Sequence, residues 1–174
     1  MNQHIPNAIT LLNLSLGSLS IVYTIGHDFR TAAILILLAM IMDGMDGRVA
    51  RKLQVSSELG KQLDSLSDLV SFGVAPAVLV LTMVTGQTRV NPIIITTASV
   101  VFILCGAYRL ARFNVLNISE YFVGLPITIA GSLVALIALA SMLHIGIALT
   151  PITWIVILAA LAFFMVSRFT IPKV

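Results

Sequence analysis

The stretch DGMDGRVARKLQVSSELGKQLDSLSD, residues 43–68, separates two apolar runs and carries five of the chain's seven acidic residues, four of them aspartates. Asp43 and Asp46 are three positions apart, so they share one face of a helix. Asp64 and Asp68 are four positions apart and share a face of the next helix. A short polar link joins the two runs, so we expect an antiparallel helix pair on which four carboxylates converge.

Such a group of acids needs positive charge nearby. A carboxylate at membrane depth costs on the order of 3 kcal/mol on insertion scales. Four hard oxygen ligands suit Mg²⁺ or Mn²⁺ and are enough to hold two ions. Two other interpretations stay open from spacing alone. The acids could serve a cation or proton transporter, or they could pair with the basic residues of an ordinary cytoplasmic loop, namely Arg48, Arg51, Lys52 and Lys61.

The residues around the acids favour a bulky, negatively charged ligand. Gly47 follows Asp46, while Ala50 and Gly60 fall on the carboxylate faces, where small residues leave room. Arg51 lies near the edge of that face, and its guanidinium can reach a phosphate. Two hard cations, an arginine and a glycine-cleared wall suit a diphosphate.

Outside this stretch the chain is strongly apolar. Hydrophobic residues make up 59% of it and charged residues only 10%, against about a quarter charged in soluble domains. We therefore predict an all-α polytopic membrane protein, one bundle over residues 1–174, with six transmembrane helices of roughly 20 residues each. The predicted spans are Ile5–Ile25, Thr31–Ala50, Gln62–Val84, Pro92–Leu110, Tyr121–Leu143 and Pro151–Phe169.

Basic residues predict the orientation of these spans. With six spans, eight of the ten Lys and Arg residues fall on one side, and only Arg30 and Arg89 on the other. The positive-inside rule then puts both termini and the acidic stretch on the cytoplasmic side of the cell membrane. The net charge of +3 suits an anionic lipid surface and does not indicate a nucleic-acid partner.

The first predicted span carries a stripe of small and polar residues, at spacings of three and four: Thr10, Asn13, Gly17, Ser20 and Thr24. Such a stripe usually packs against neighbouring helices. Thr10 and Asn13 lie near the predicted cytoplasmic end, so a second interpretation is that they also line a polar ligand site.

The acidic stretch reads D-x2-D-G-x2-A-R-x8-G-x3-D-x3-D, and this pattern resembles the signature of the CDP-alcohol phosphatidyltransferase family at all eight specified positions. The resemblance implies six membrane helices and a homodimer. It also implies that Asp43, Asp46, Asp64 and Asp68 bind two divalent metal ions, with Asp68 as the general base. Further residues are expected to contact the CDP-linked lipid, by the resemblance Gly47, Arg51 and Ser57, and by the reasoning above Asp46, Ala50, Gly60, Thr10 and Asn13.

Three segments resemble the family members that use serine: IPNAITLLNLSLG (residues 5–17), YRLARFN (108–114) and FVGLP (122–126). The expected reaction joins CDP-diacylglycerol and L-serine and releases CMP. Serine brings a carboxylate, and Arg109 and Arg112 share a helix face where one or both could bind it or the lipid phosphate. Positive-inside anchoring is the alternative role for the two arginines. Glycerol 3-phosphate or an inositol phosphate remains an alternative acceptor.

Overall fold

The computed structural model describes residues 4–53, 57–85, 91–116, 121–143, 149–167 and 170–172. These residues form helices α1 (His4–Ile25), α2 (Phe29–Leu53), α3 (Glu58–Asp68), α4 (Ala75–Thr85), α5 (Pro92–Leu116), α6 (Ile127–Met142) and α7 (Pro151–Val166). A π-helical segment, Leu69–Val74, joins α3 to α4 without a break. The prediction of an all-α protein with six helical spans is therefore confirmed, the third span being Glu58–Thr85.

Three helices in the described part of the chain are long and apolar enough to cross a membrane: Pro6–Ile25, Glu58–Thr85 and Pro92–Val115. Helices α6 and α7 are apolar but shorter, with 16 residues each. Helix α2 has 25 residues and carries charged side chains towards both of its ends. Long apolar helices in this number mark the protein as membrane-embedded.

Side-chain caps set where several helices begin. The Ser57 hydroxyl accepts the Gly60 N–H at 3.0 Å and starts α3, and Thr150 caps α7 in the same way, just before Pro151. Asp28 caps α2 by accepting the Thr31 N–H at 3.1 Å. The hydrogen bonds from Thr31 hold the pKa of the Asp28 carboxyl below its ordinary value, with a smaller contribution from Arg30.

The small-polar stripe of α1 is a packing seam, as its spacing predicts. Ser20 donates its hydroxyl hydrogen bond to the Ala32 carbonyl of α2 at 2.9 Å. On the third span, Ser71 donates to the carbonyl of Asn13 at 3.0 Å. A side chain at Gly17 would collide with Ser71, its Cβ lying 2.7 Å from the Ser71 Cα. Helix α1 therefore packs directly on both of the helices that carry the acidic stretch.

Between the spans lies a dense apolar core. Its largest fully buried side chains include Ile36 of α2, Phe72 of the π-helical segment, Leu79 of α4, Phe102 of α5 and Leu158 of α7. The second to sixth spans contribute to this core, and Leu16 and Ile21 of α1 pack against it. Close packing of these side chains holds the helices in place.

The predicted start of the fifth span at Tyr121 is wrong. Residues Tyr121–Val123 form strand β1, which pairs antiparallel with strand β2, Thr170–Pro172. Gly124 follows with a φ of 72°, and a Cβ there would lie 2.6 Å from the Met165 carbonyl oxygen. Helix α6 begins only after Pro126, since proline suits a helix start but not a helix interior.

Other predicted span limits differ by a few residues. Helix α2 extends the second span to Phe29–Leu53, and the third begins at Glu58 rather than Gln62. Helix α5 continues to Leu116 rather than ending at Leu110. In these cases the polar residues that ended the apolar run still belong to the helix. Helix α7 ends at Val166, and Phe169 lies outside the described residues.

Candidate active site

Helices α2 and α3 bring three carboxylates together. Asp43, in the C-terminal half of α2, meets Asp64 and Asp68 of α3, and one carboxylate oxygen from each lies within 4.8 Å of the other two. The short link between the helices lets their carboxylate-bearing faces meet, as the spacing predicts. The carboxylates of Asp43 and Asp68 are also within hydrogen-bonding reach of each other.

These carboxylates are partly removed from solvent. Asp68 is 8% exposed, and Asp43 and Asp64 are half-buried. Like charges this close repel one another, and burial strengthens the repulsion because the local dielectric constant is low. A divalent cation turns the repulsion into attraction, and carboxylate oxygens are the donors that Mg²⁺ and Mn²⁺ prefer. The residues present therefore fit a divalent metal site.

The structure describes only part of the predicted ligand-binding stretch. The side chains of Asp46, Ala50 and Arg51 lie outside its description, so their roles stay predictions. At Gly47 a Cβ would meet no atom of the described residues within 4 Å, so those residues leave this face of α2 open. Gly60 is in a tighter place, because a Cβ there would lie 3.0 Å from Asn7 Oδ1 and 3.1 Å from Ser57 Oγ.

Helix α1 closes one side of the site. Thr10 and Asn13 are both buried, at 4% and 0% exposure. Their carbonyls accept hydrogen bonds from Ser67 and Ser71, which stand on either side of Asp68 in the sequence. The side-chain amide of Asn13 has no hydrogen-bond partner among the described residues. A fully buried amide in that state is suited to meet a ligand or a water molecule.

Helix α5 brings a positive charge to the carboxylates. Arg109 is half-buried and lies close enough to Asp68 for a favourable Coulombic interaction. Its Nε is buried and has no hydrogen-bond partner within the described ranges. Arg112 is also half-buried, but the described contacts do not connect it to the carboxylates. Arg109 is thus the arginine of the predicted pair that the structure brings to the site.

A polar bridge holds α5 against α3 at this end of the bundle. Asn114 donates its Nδ2 hydrogen bond to Ser65 Oγ at 2.9 Å, and Lys61 reaches the Asn114 carbonyl at 3.5 Å. Because α5 continues past Leu110, these contacts lie on the same helix as Arg109. The bridge therefore sets how α5 presents Arg109 to Asp68.

Sequence reasoning missed two parts of the site. The first is Thr128 in α6, whose hydroxyl lies within hydrogen-bonding reach of the Asp43 carboxylate. The second is the π-helical segment that begins immediately after Asp68. A threonine in an apolar helix carries no distinctive spacing, and a π-helical segment has no simple sequence signal. The only pointer was the position of Thr128 two residues after FVGLP.

Comparison with known proteins identifies related chains over most of this length. The family model described as CDP-alcohol phosphatidyltransferase matches residues 3–166.

Individual relatives have names that specify an activity. A CDP-diacylglycerol–serine O-phosphatidyltransferase of Mycobacterium leprae is 38% identical over 87% of this chain and 52% of its own length. An archaetidylserine synthase of Methanothermobacter thermautotrophicus is 42% identical over 72% of this chain and 54% of its own. A CDP-diacylglycerol–serine O-phosphatidyltransferase of Methanocaldococcus jannaschii is 43% identical over 74% and 57%. The chain spans about half the length of these curated relatives.

Proposed function

Because the chain belongs to the CDP-alcohol phosphatidyltransferase family, we propose that it transfers the phosphatidyl group of CDP-diacylglycerol to L-serine, giving phosphatidylserine and CMP. The observation that carries the proposal is the convergence of Asp43, Asp64 and Asp68 on one point between α2 and α3. The names of the similar proteins, which specify serine, support the choice of acceptor. Family membership favours a transferase over the alternative of a cation or proton transporter.

In the proposed reaction the serine hydroxyl oxygen attacks the phosphorus that bears the diacylglycerol. A new oxygen–phosphorus bond forms, the bond to the CMP oxygen breaks, and the hydroxyl proton moves to the Asp68 carboxylate. When bound, two divalent cations, Mg²⁺ or Mn²⁺, supply positive charge that offsets the charge of the diphosphate. Asp43, Asp46, Asp64 and Asp68 are the residues that would hold them.

The CDP-lipid is proposed to occupy the open face of α2. The empty space beside Gly47 leaves room for its diphosphate, and Arg51 is assigned to pair with a phosphate oxygen. Asp46, Ala50, Ser57 and Gly60 complete this side of the proposed binding site. On α1, the buried amide of Asn13, with Thr10 beside it, is available to a polar group of the donor.

The proposed site lies at the cytoplasmic surface of the cell membrane. The acyl chains of the donor must stay in lipid, whereas CMP and serine are water-soluble. The acids lie in the halves of the second and third spans that are nearest the turn joining them. Basic residues flank that turn on both sides, so the positive-inside rule assigns it to the cytoplasm. A homodimer is proposed from the family resemblance alone.

An acceptor panel tests the proposed function. Purified protein is given CDP-diacylglycerol and Mn²⁺ or Mg²⁺, and CMP release is followed with serine, glycerol 3-phosphate, inositol phosphate or no acceptor. We expect CMP release only when serine is the acceptor, and mass spectrometry of the lipid product should find phosphatidylserine. Parallel reactions with an ether-linked CDP-lipid distinguish the donor suggested by the archaetidylserine relative. Release with glycerol 3-phosphate but not serine would refute the acceptor assignment.

Arg109 is proposed to bind the serine carboxylate or the lipid phosphate. Replacing it with alanine should raise the KM of the substrate it contacts by about tenfold or more, because a hydrogen bond to a charged group is lost. In Arg109→Lys the KM should rise less than in the alanine variant if the positive charge is the main contribution. It should rise about as much as in the alanine variant if the planar guanidinium is needed. Separate titrations of serine and CDP-diacylglycerol identify which KM moves.

The matched control for Arg109 is Arg30→Ala. Arg30 is exposed and stands at the start of α2, about 20 Å along that helix from Asp43 at 1.5 Å per residue. It should leave both KM values unchanged. Unchanged kinetics in both Arg109 variants would remove this residue from the binding site.

A further inference from the structure

The first turn of α6 lies directly beside the carboxylate cluster. Thr128 stands at its second residue, and its hydroxyl lies within hydrogen-bonding reach of the Asp43 carboxylate. Asp43 in turn lies within 4.8 Å of both Asp64 and Asp68, measured between carboxylate oxygens. Thr128 therefore touches the cluster through Asp43, from a helix that contributes no carboxylate of its own.

Close backbone packing holds α6 in this place. Gly131, one turn after Thr128, packs against the backbone of Phe72, and a Cβ at this glycine would collide with the Phe72 carbonyl oxygen. Phe72 belongs to the π-helical segment that follows Asp68. The Ile127 side chain lies against Gly73 of the same segment, 3.3 Å from where a Cβ would be. The helix that carries Thr128 is thus fitted to the helix that carries Asp68.

The segment before α6 is fastened to the end of α7. The Leu125 N–H donates to the Phe164 carbonyl at 3.0 Å, and Gly124 approaches the carbonyls of Phe164, Met165 and Ser167 too closely for any side chain. Strands β1 and β2 pair across the same junction. These contacts set the height at which α6 begins, and so the height of Thr128 relative to Asp43.

From this arrangement we propose that Thr128 is a positioning residue for metal binding: its hydroxyl orients the Asp43 carboxylate towards the site shared with Asp64 and Asp68. The last two spans then have a defined role, which is to hold Thr128 at the position of Asp43 along the bundle. A carboxylate on a helix can rotate about its side-chain bonds, and a hydrogen bond from outside the metal site restricts that rotation. Residues that hydrogen-bond metal ligands typically change metal affinity or activity by about 10–100-fold when removed.

The inference rests on the proposed function only in assuming a divalent cation at the aspartates. Its test therefore measures Mn²⁺ binding directly, with no lipid donor and no serine. Purified protein in detergent is titrated with Mn²⁺, and free Mn²⁺ is read from its electron paramagnetic resonance signal. Thr128→Val removes the hydroxyl at nearly constant volume, Thr128→Ala is a second hydroxyl-free variant, and Thr128→Ser restores the hydroxyl.

We expect the valine and alanine variants to weaken Mn²⁺ binding by about 10–100-fold, with the serine variant within about threefold of the parent. The matched control is Thr82→Val in α4, where the lost hydroxyl donates to the Val78 carbonyl of its own helix at 2.9 Å. This variant should bind Mn²⁺ like the parent. The Mn²⁺ concentration for half-maximal CMP release should shift in parallel, with little change in the KM of serine.

Two results would overturn the inference. One is Mn²⁺ binding within about twofold of the parent in a folded hydroxyl-free variant, a range well below the expected effect. The other is a serine variant as weak as the valine variant, since the hydroxyl would then not be the relevant group. A negative acceptor panel with this Mn²⁺ pattern intact would refute only the proposed acceptor, whereas absence of saturable Mn²⁺ binding in the parent would refute both.

Discussion

Asp68→Asn should reduce CMP release by about 10³-fold or more. Asp68 is the most buried of the three converging carboxylates, at 8% exposure, and it is assigned both as a metal ligand and as the acceptor of the serine proton. General-base catalysis alone contributes about 10²–10⁴-fold to rates, and the loss of a ligand oxygen adds to the effect. The measurement is CMP release at saturating serine and donor.

The matched control for Asp68 is Glu58→Gln, which makes the same chemical change on the same helix. Glu58 is exposed in the first turn of α3. The rate of CMP release by the Glu58→Gln variant should therefore stay within about twofold of the parent, as for most surface substitutions. Mn²⁺ binding separates the two roles of Asp68. Loss of turnover with binding retained would indicate the base role, and loss of both would indicate the ligand role. A variant with near-parental turnover would contradict both assignments.

Removal of divalent metal should abolish activity altogether. Three carboxylates within 4.8 Å of one another repel the negatively charged diphosphate of the donor unless cations are bound between them. After treatment with EDTA and desalting, CMP release should fall to background, and added Mn²⁺ or Mg²⁺ should restore it. The metal should also raise the thermal midpoint, because a ligand that binds only the folded state stabilises it.

A monovalent control is needed because ions also screen charges. NaCl at matched ionic strength should not restore activity, since screening does not supply ligands for the aspartates. Asp43→Asn and Asp64→Asn should each need more Mn²⁺ than the parent for half-maximal recovery. Full turnover after rigorous chelation would refute the metal-assisted mechanism.

The acidic stretch was predictable because it obeys a simple periodicity. Carboxylates at spacings of three and four must share a helix face, and a short link between two apolar helices must bring such faces together. This is why Asp43, Asp64 and Asp68 meet in the structure as expected. The stripe of α1 was predictable for the same reason.

The boundaries near residue 121 were not predictable from hydropathy. Tyr121–Val123 is as apolar as the helix that follows, so composition extends the fifth span too far. Tyr121–Val123 is a strand because it pairs with Thr170–Pro172, and that partner is almost fifty residues away in the chain. Non-local strand pairing leaves no local periodic signal in either segment.

The sequence by itself determined the membrane-embedded helical class, the four-aspartate motif and the family, because each depends on composition or on spacing along one helix. Only the tertiary structure decided that Arg109 of α5 lies near Asp68 and that Thr128 of α6 lies within hydrogen-bonding reach of Asp43. Both pairs join helices that are far apart in the chain. Their formation depends on how closely glycines such as Gly17 and Gly131 let backbones approach, and interhelical distance is a property of packing rather than of any single segment.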